Sequence, residues 1–535
     1  MRSFVLAATA SLVACTAILD TSASQCESDG DCRGRGGAFA TSLCRGSRCV
    51  AAENAPCTTN KECATALGVP AICRKRDGRC GKLLSPECSR TVGDPESEDA
   101  IVLGTIFTVT GTNGPSGVDR QQAAEAAIEE IRLSVGGIPG GARPRPLALV
   151  ACDDNLDSVA PATHLVDDVG VPAIIGVASS TRVTEVATKV TIPKRVLLIS
   201  PTATSVAITT LRDDNLVWRT APSDALQSLA LVDQLPAIET AYRAANSTPE
   251  AEKVHVSFVY LAEAYGIGLY EAVATRGQLN GKPLTDPANA GVAAGIAFPV
   301  NPPDLDAQVN AVLAQSPRPA IIAGFGSTEL LTKFVAPLEA KWGDAIPKPH
   351  YLFADATRKV ELLDMVVRDP SLRGRVRGTV PAAPVGSPAF ASFKFKYEGM
   401  FQGASATATF GMAGTYDSVF LLGYAIAAAG EKPLGGEELA KNLGRLLSGP
   451  KIEVGGANMN AGFQALVSPG TFDFDGASGP LDFDLATGEA PSNIDVWCIT
   501  KDATGRPSFA SSGRAYDASK NAMVGTFDGA LCTKP

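Results

Sequence analysis

Histidine and aromatic residues are scarce in this sequence, and it has no stripe of lysine and arginine. Only three of the 535 residues are histidine, and phenylalanine, tyrosine and tryptophan together make up 6%. No GxSxG, HExxH or GxxxxGK(S/T) motif occurs, so no recognised catalytic, zinc-binding or phosphate-binding pattern is present. The net charge of −9 and the isoelectric point near 5.1 argue against nucleic acid as a partner. We therefore expect a protein that is not an enzyme and needs no metal or cofactor.

The N-terminus has the pattern of an export signal. The sequence MRSFVLAATASLVAC has one positive charge, at Arg2, and then an apolar run that is too short to span a bilayer. Its end, Leu-Val-Ala-Cys, resembles the lipobox of bacterial lipoproteins, which implies a signal peptide over residues 1–15 and a lipid on Cys15. Thr16 resembles the outer-membrane sorting pattern, and ordinary cleavage near TSASQ is the alternative. We expect an exported protein that a lipid anchors in the bacterial envelope, in the periplasm or at the outer membrane and cell surface.

Nine of the thirteen cysteines lie between Cys26 and Cys88, in a pattern that repeats. A four-cysteine unit occurs twice, offset by 31 residues at three of its four cysteines: Cys26, Cys32, Cys44 and Cys49, then Cys57, Cys63, Cys73 and Cys80. Each unit is too small for a core of its own, so disulfides must supply most of its stability. Zinc is the alternative, but the region has no CxxC spacing and no histidine. We predict a duplicated disulfide-rich module over residues 26–88.

The remaining cysteines allow a further prediction. If each repeat closes its own bridges, Cys88, Cys152, Cys498 and Cys532 remain for the rest of the chain, and they can pair in three ways. We favour Cys88 with Cys152, and Cys498 with Cys532, which would pin the C-terminal tail.

From about Asp99 the sequence alternates between strand-like and helix-like segments. IVLGTIFTV, PLALVAC, PAIIGV and RVLLIS read as strands, and VDRQQAAEAAIEEIRLSV, VAPATHLVDDV and STRVTEVATKV read as helices between them. A second set follows, with strands VHVSFVYL, PAIIAGF and HYLFA. This rhythm is typical of parallel sheets covered by helices on both faces. Two such sets predict two α/β lobes, with ligands at the carboxyl ends of the strands.

Nine motifs in this region occur in the order of a known family. They are GTNGPSG, AAIEEI, GGIPGG, ACDDN, IIGVASST, LLISPTATS, LVWRTAPSD, AYGIGLYEA and GTYDSVFLLGYAI. Together they resemble the type I periplasmic binding proteins, in the leucine/isoleucine/valine-binding branch that serves amino-acid ABC importers, from about Ile101 to Trp497. The resemblance implies two Rossmann-like lobes that close over a ligand like a Venus flytrap. The first lobe would span about 99–223 and 386–475, and the second about 224–385 and 476–535.

The resemblance also implies the ligand and its partners. The chain would be a monomer that captures an amino acid or a related small molecule and delivers it to ABC permease and ATPase subunits. Ser180, with Ser179 and Thr181 beside it, would bind the ligand carboxylate, and Thr202, Ala203 and Thr204 would bind the same α-amino-acid head. From the second lobe Tyr265 would stack on the ligand, Phe325 would contribute an aromatic ring, and Asp355 would pair with the ammonium group. Independently, an ammonium prefers a carboxylate and a carboxylate prefers hydroxyl and amide donors.

Several of these residues have structural alternatives. Asp355 could cap the following helix, and Tyr265 and Phe325 could be packing residues. Asp153 and Asp154 could be hinge-side polar groups or ligand contacts, whereas Tyr416 and Asp417 lie on an apolar helix that we expect in the core. Ser116 stands where many relatives have an aromatic residue, and Asp355 replaces the commoner glutamate. The pocket could therefore be larger than in those relatives, with a ligand that is not a branched-chain amino acid.

Two other functions remain open from the sequence. The same bilobed fold can act as a ligand sensor that signals to a membrane partner. Alternatively, the cysteine-rich modules could bind another protein or a glycan at the cell surface, with the bilobed domain as a passenger.

Overall fold

The computed structural model describes residues 24–52, 56–343, 345–382, 386–407, 409–467 and 469–533. The predicted signal peptide and Cys15 lie outside these residues. The chain divides into two units, which meet in sequence between Cys80 and Gly81. The predicted cysteine module extended further, to Cys88, but Cys88 is in the larger unit and is bonded there to Cys152.

The small unit consists of two copies of one disulfide-bonded motif. The first copy has the helix Asp29–Arg33 and a hairpin of Ser42–Arg45 with Arg48–Ala51. The second has the helix Asn60–Leu67, capped by the hydroxyl of Thr59, and the strand Ala71–Cys73, which pairs with Cys80–Lys82. In each copy the first cysteine bonds the third and the second bonds the fourth: Cys26–Cys44, Cys32–Cys49, Cys57–Cys73 and Cys63–Cys80. The prediction that each repeat closes its own bridges is confirmed.

The two copies also pack against each other. Leu43 of the first and Ala66 of the second are buried in one small apolar cluster. Arg45 of the first copy forms an ion pair with Glu62 of the second. Disulfides inside each copy and these contacts between copies replace the large core that so short a segment cannot build.

The first lobe of the large unit is built on a six-stranded sheet. Its strands lie in the order Val217–Arg219, Leu197–Ser200, Ala173–Gly176, Ile101–Phe107, Leu147–Asp153 and Arg90–Val92. The first five are parallel, as predicted, and the edge strand Arg90–Val92 is antiparallel. All seven residues of Ile101–Phe107 are buried, because helices cover both faces of a parallel sheet. The bond Cys88–Cys152 joins the edge of this sheet to its neighbouring strand, as predicted.

Helices from two separated stretches of chain cover this sheet. They are Gly114–Val135, Val159–Thr163 with its continuation His164–Val169, Ser180–Val186 with Ala187–Thr191, Val206–Thr209, Pro388–Met400, Met412–Ala429, Gly436–Leu443 and Met459–Val467. Among the described residues, Met412–Ala429 alone is a helix long and apolar enough to cross a membrane, but 89% of it is buried inside the protein. It is therefore the core helix of the first lobe, as predicted for Tyr416 and Asp417.

The second lobe has an eight-stranded mixed sheet. Its order is Ala293–Phe298, Val256–Leu261, Ile321–Phe325, His350–Phe353, Val376–Pro381, Ile494–Lys501, Pro507–Asp517 and Ala522–Gly525. The first five strands are parallel and the last three are antiparallel. Its helices are Asp224–Asn246, Ala264–Arg276, Asp306–Leu313, Leu330–Val335 with Ala336–Trp342, Val360–Arg368 and Gly529–Thr533. Cys498–Cys532 ties the last helix to the sheet, which confirms the predicted pairing.

The chain passes from one lobe to the other three times. The first passage follows the strand Val217–Arg219, the second lies after the strand Val376–Pro381 and before the helix Pro388–Met400, and the third precedes the strand Ile494–Lys501. A small three-stranded sheet of Lys451–Glu453, Asp473–Gly476 and Gly479–Pro480 precedes the third passage. The two-lobed α/β fold expected from the sequence is confirmed.

Candidate functional site

The cleft lies where the strand order of both sheets reverses. In the first lobe, Ile101–Phe107 has its successor Leu147–Asp153 on one side and Ala173–Gly176 on the other. In the second lobe, Val256–Leu261 lies in the same way between Ala293–Phe298 and Ile321–Phe325. The loops diverge at such a reversal and leave a crevice at the carboxyl ends of the strands. A cavity of about 210 Å³, here called the first cavity, lies between the two sets of loops.

Five of the nine predicted ligand-binding residues line the first cavity. They are Ser179, Ser180, Thr202, Tyr265 and Asp355. Sequence positions up to 176 residues apart are thus brought together by the fold. The four others, Thr181, Ala203, Thr204 and Phe325, do not line it.

Phe325 lies in the core of the second lobe. Its side chain is fully buried and stacks on Phe258, with ring centroids 6.3 Å apart. It is a packing residue, one of the two interpretations that the sequence left open. Thr204 is also buried, and its carbonyl accepts a hydrogen bond of 2.7 Å from the amide of Asp224.

The first lobe contributes hydroxyl groups that are held in place by the backbone. The amide of Ser205 donates to the Ser180 Oγ at 3.2 Å, and the Thr202 hydroxyl donates to the carbonyl of Ala178 at 3.1 Å. Just before these residues, Val177 has a φ of 49°, which a β-branched residue rarely adopts. Its amide donates to Ile106 and its carbonyl accepts from Ser200. This strained turn directs the loop of Ser179 and Ser180 into the cleft.

The second lobe contributes a buried carboxylate. The Oδ1 atom of Asp355 accepts hydrogen bonds from the Tyr265 hydroxyl at 2.8 Å and from the Gln227 amide at 3.0 Å. The N-cap of the following helix is Lys359, so Asp355 does not cap that helix. Burial raises the pKa of Asp355, and the two hydrogen bonds oppose this shift. The carboxylate is thus desolvated without a cationic side chain bonded to it among the described residues.

A second acid lies close to Asp355. Asp224 is fully buried, and burial, followed by repulsion from Asp355, raises its pKa well above the usual value. A positive group placed against Asp355 would favour the ionised form of both acids.

Arg120 is the main feature of the site that the sequence analysis missed. It lies on the helix Gly114–Val135, lines the first cavity, and donates from Nε to the carbonyl of Phe410 at 2.9 Å. Burial lowers its pKa to about 10, against the opposing charges of Asp119, Asp355 and Asp154. Within the described part of the chain it forms no ion pair. Ser116 and Arg120 are four residues apart, share a helix face and both line the cavity, but this spacing alone does not distinguish an arginine in a cavity wall from one in solvent.

The turn that holds Arg120 requires glycine. Gly411 follows Phe410 and has a φ of +89°. A Cβ at this position would lie 2.2 Å from the Thr202 Cγ2 and 3.0 Å from the carbonyl of Pro201. The absence of a side chain lets this turn contact both Thr202 and the Arg120 side chain.

Lys359 is another cation of the cavity wall, which also includes Arg182 and Arg358. Its Nζ donates to the Oδ1 of Asn113 at 3.2 Å and to the Thr328 hydroxyl at 3.0 Å. Burial, with repulsion from Arg120, lowers its pKa to about 8.

Direct hydrogen bonds join the lobes across the cleft. The Ser179 hydroxyl donates to Glu263 at 3.0 Å, and the amide of Ala264 donates to the Thr181 hydroxyl at 3.1 Å. The Asn113 amide donates to Glu329 at 3.3 Å. Residues of both lobes therefore surround the first cavity.

The two acids at the end of Leu147–Asp153 support loops. Asp153 accepts from the amide of Val109 at 3.0 Å, and Asp154 forms an ion pair with Arg182 at 3.1 Å. Neither carboxylate lines the first cavity.

Comparisons with known proteins agree with this architecture. The profile of the periplasmic binding protein family matches residues 100–340. A leucine binding protein of Thermotoga maritima has a TM-score of 0.55 at 18% identity, over 77% of this chain and 98% of its own. A branched-chain amino acid binding protein of Streptococcus pneumoniae, solved with isoleucine, has a TM-score of 0.54 at 18% identity, over 77% and 99%. A solute binding protein of an ABC transporter from Rhodopseudomonas palustris was solved with 3,4-dihydroxybenzoic acid. It has a TM-score of 0.55 at 17% identity, over 79% of this chain and 98% of its own.

At these identities the structural similarity establishes the fold. A comparison with curated protein sequences finds no match. The family model matches residues 100–340, and the two-lobed architecture is the fold of the type I periplasmic binding proteins. The fold that the motifs implied is confirmed.

Proposed function

We propose that this chain is an extracytoplasmic solute-binding protein that captures an amino acid or a close relative between its lobes for an ABC importer. The observation that carries the proposal is the pair of opposite charges in the first cavity. Arg120 from one lobe and Asp355 from the other face the same space of about 210 Å³, and neither is neutralised by an ion pair with a described residue. A zwitterion would supply both missing partners.

The geometry suggests how each end of the ligand is bound. The carboxylate would accept from the Arg120 guanidinium and from the Ser180 hydroxyl, while Thr202, whose hydroxyl donates to Ala178, would hold the neighbouring loop against the ligand. The ammonium would donate to Asp355, which Tyr265 and Gln227 orient. Charge-assisted hydrogen bonds in a desolvated cleft are stronger than neutral ones. Thr181, Ala203, Thr204 and Phe325 would act through the fold of the cleft instead of touching the ligand.

The relatives support a small carboxylate as the ligand. Two of the three similar structures were solved with a ligand, one with isoleucine and one with 3,4-dihydroxybenzoic acid. An aromatic acid has no ammonium group and would leave Asp355 without a positive partner, so Asp355 favours an amino acid.

We also propose that a lipid on Cys15 anchors the protein. The support is a count of cysteines: the sequence has thirteen, and twelve are paired in six disulfides. Cys15 is the cysteine that remains. Mass spectrometry of the native N-terminus should show an acylated Cys15, and Cys15→Ser should release the protein from the membrane fraction. An unmodified chain that starts beyond Cys15 would refute the anchor.

A thermal-denaturation screen of the purified chain tests the ligand class. The twenty amino acids are compared with benzoate and 4-hydroxybenzoate, which have a carboxylate and no ammonium. A ligand at a hundred times its Kd should add about 2.7 kcal/mol to the free energy of unfolding. We expect stabilisation by one or a few amino acids. Stabilisation by the aromatic acids alone would overturn the zwitterion proposal, and Arg120 and Lys359 would then share a carboxylate.

A further inference from the structure

A second and larger cavity adjoins the first. Its volume is about 570 Å³, and it also lies between the lobes. Arg358, Thr409 and Phe410 line both cavities, so these three residues form the neck between them. A ligand in the first cavity therefore has space beyond the neck into which its far end can extend.

The second cavity offers an aromatic surface beside its polar groups. The first cavity presents charged and hydroxyl groups from both lobes. The second has an apolar part, with Phe390, Phe410, Phe509 and Met412, and a polar part that includes Asp495 and several hydroxyl groups. At the neck, the Arg358 guanidinium lies over the ring of Phe509, 4.9 Å from its centroid, so its flat face is already packed on an aromatic ring. A polar head and an apolar body would each find a matching wall.

We infer that the ligand is an elongated amphipathic amino acid, whose charged head lies in the first cavity and whose apolar or aromatic body passes the neck into the second. This inference rests on the proposed function. Single small amino acids would leave the larger, aromatic-lined space unused. Ser116, a small side chain in the wall of the first cavity, leaves further room near the head.

The experiment uses three amino acids with one head group and bodies of increasing length: alanine, phenylalanine and 4-phenylphenylalanine. Calorimetry measures their Kd values with the full chain. Because buried apolar area adds to affinity, each added ring should tighten binding by about tenfold or more. Alanine is too short to extend beyond the first cavity, so its binding tests the proposed function separately from the inference.

Filling the second cavity should remove the gain from length. Ala515 lines this cavity from the strand Pro507–Asp517, and Ala515→Trp should make 4-phenylphenylalanine bind no better than alanine while alanine is unaffected. Thr407→Trp fills the same cavity from an exposed loop, which guards against a folding defect in the first variant. Ala522→Trp is the matched control, because Ala522 is exposed on the adjacent strand and does not line the cavity.

Each outcome decides the inference. Affinity that rises with length and falls on filling the second cavity supports it. If alanine binds and the longer amino acids bind more weakly, the inference is wrong and the proposed function stands. The same holds if both tryptophan variants still bind 4-phenylphenylalanine more tightly than alanine. Failure of all three amino acids to bind overturns the inference, and the screen of the twenty amino acids then decides the proposed function separately.

Discussion

The two lobes have the same order of parallel strands, yet they bring different chemistry to the cleft. The first lobe provides hydroxyl groups, Ser179, Ser180 and Thr202, and two cations: Arg120, and Arg182, which is paired with Asp154. The second provides carboxylates, Asp355, Glu263 and Glu329, with Tyr265 and Lys359. The loops carry this difference, while the strands beneath them are buried and apolar in both lobes. A shared scaffold thus fixes where a ligand binds, and the loops of each lobe determine which end of it they bind.

The largest expected effect comes from the acid of the second lobe. Asp355→Ala should weaken the binding of an amino-acid ligand by about 2–5 kcal/mol, because the ammonium loses its charged partner in a desolvated cleft. Calorimetry with the ligand found in the screen measures the loss. Asp364→Ala, at an exposed acid of the same lobe, is the control and should change nothing. If the folded Asp355→Ala variant binds the ligand as tightly as the natural chain, Asp355 does not bind the ammonium end of the ligand.

Acid should destabilise the second lobe through His350. Burial, with repulsion from Arg377 and Arg375, lowers the pKa of His350 to about 4 in the folded protein, against about 6.5 in an unfolded chain. Between these values only the unfolded state binds the proton, so stability is complete above pH 6.5 and falls as the pH drops toward 4. The loss should approach about 3 kcal/mol.

Hydrogen exchange can locate this effect in one lobe. The strand His350–Phe353 and its neighbours should lose protection on acidification before the strands of the first lobe. The free energy of unfolding of His350→Gln should depend less on pH than that of the natural chain. Identical pH profiles for the two proteins would show that His350 does not cause the loss.

The cation of the first lobe should matter somewhat less than Asp355. Arg120→Met should weaken binding by about 1.5–3 kcal/mol, because a charged hydrogen-bond donor is lost while the hydroxyl donors remain. Arg132→Met is the control on the same helix, since Arg132 is exposed and contacts Glu129. An amino-acid amide should be insensitive to Arg120→Met, and a deaminated acid should be insensitive to Asp355→Ala. If both variants weaken both analogues equally, the two lobes do not bind different ends.

A single hydroxyl should have the smallest effect. Thr202→Val keeps the shape of the side chain and removes its hydrogen bond to Ala178, so binding should weaken by about 0.5–1.5 kcal/mol. Titration calorimetry of both proteins measures the difference. A loss as large as that of Arg120→Met would show that the hydroxyls, and not the guanidinium, hold the carboxylate.

Much of the fold was predictable because its signals are local. The apolar run at Leu197–Ser200 predicted a buried strand, and the spacing of Cys26, Cys32, Cys44 and Cys49 predicted bridges within the repeat. The antiparallel edge strand Arg90–Val92 was missed, because three residues carry too little periodicity to indicate a strand. The connectivity within each repeat was not predicted either, since four cysteines allow three pairings.

The site was only partly predictable. Ser180, Thr202 and Asp355 follow buried strands, and parallel sheets place such residues at one edge. Phe325 also ends a strand, but its ring points into the core, and a sequence does not show which side of a strand end faces the cleft. Arg120 was missed because a basic residue on an amphipathic helix has the pattern of an ordinary solvent-exposed residue.

The sequence by itself determined the two-lobed α/β architecture, the duplicated disulfide module and the loops that form the cleft. Each of these follows from spacing along the chain: the period of strands and helices, the interval between cysteines, and hydroxyls that follow apolar runs. Only the tertiary structure decided that Arg120 and Asp355 face one cavity, that Phe325 does not, and that a larger apolar space adjoins it. These features depend on how side chains that are distant in sequence pack around the same space. A local sequence pattern does not indicate which distant side chains will meet there.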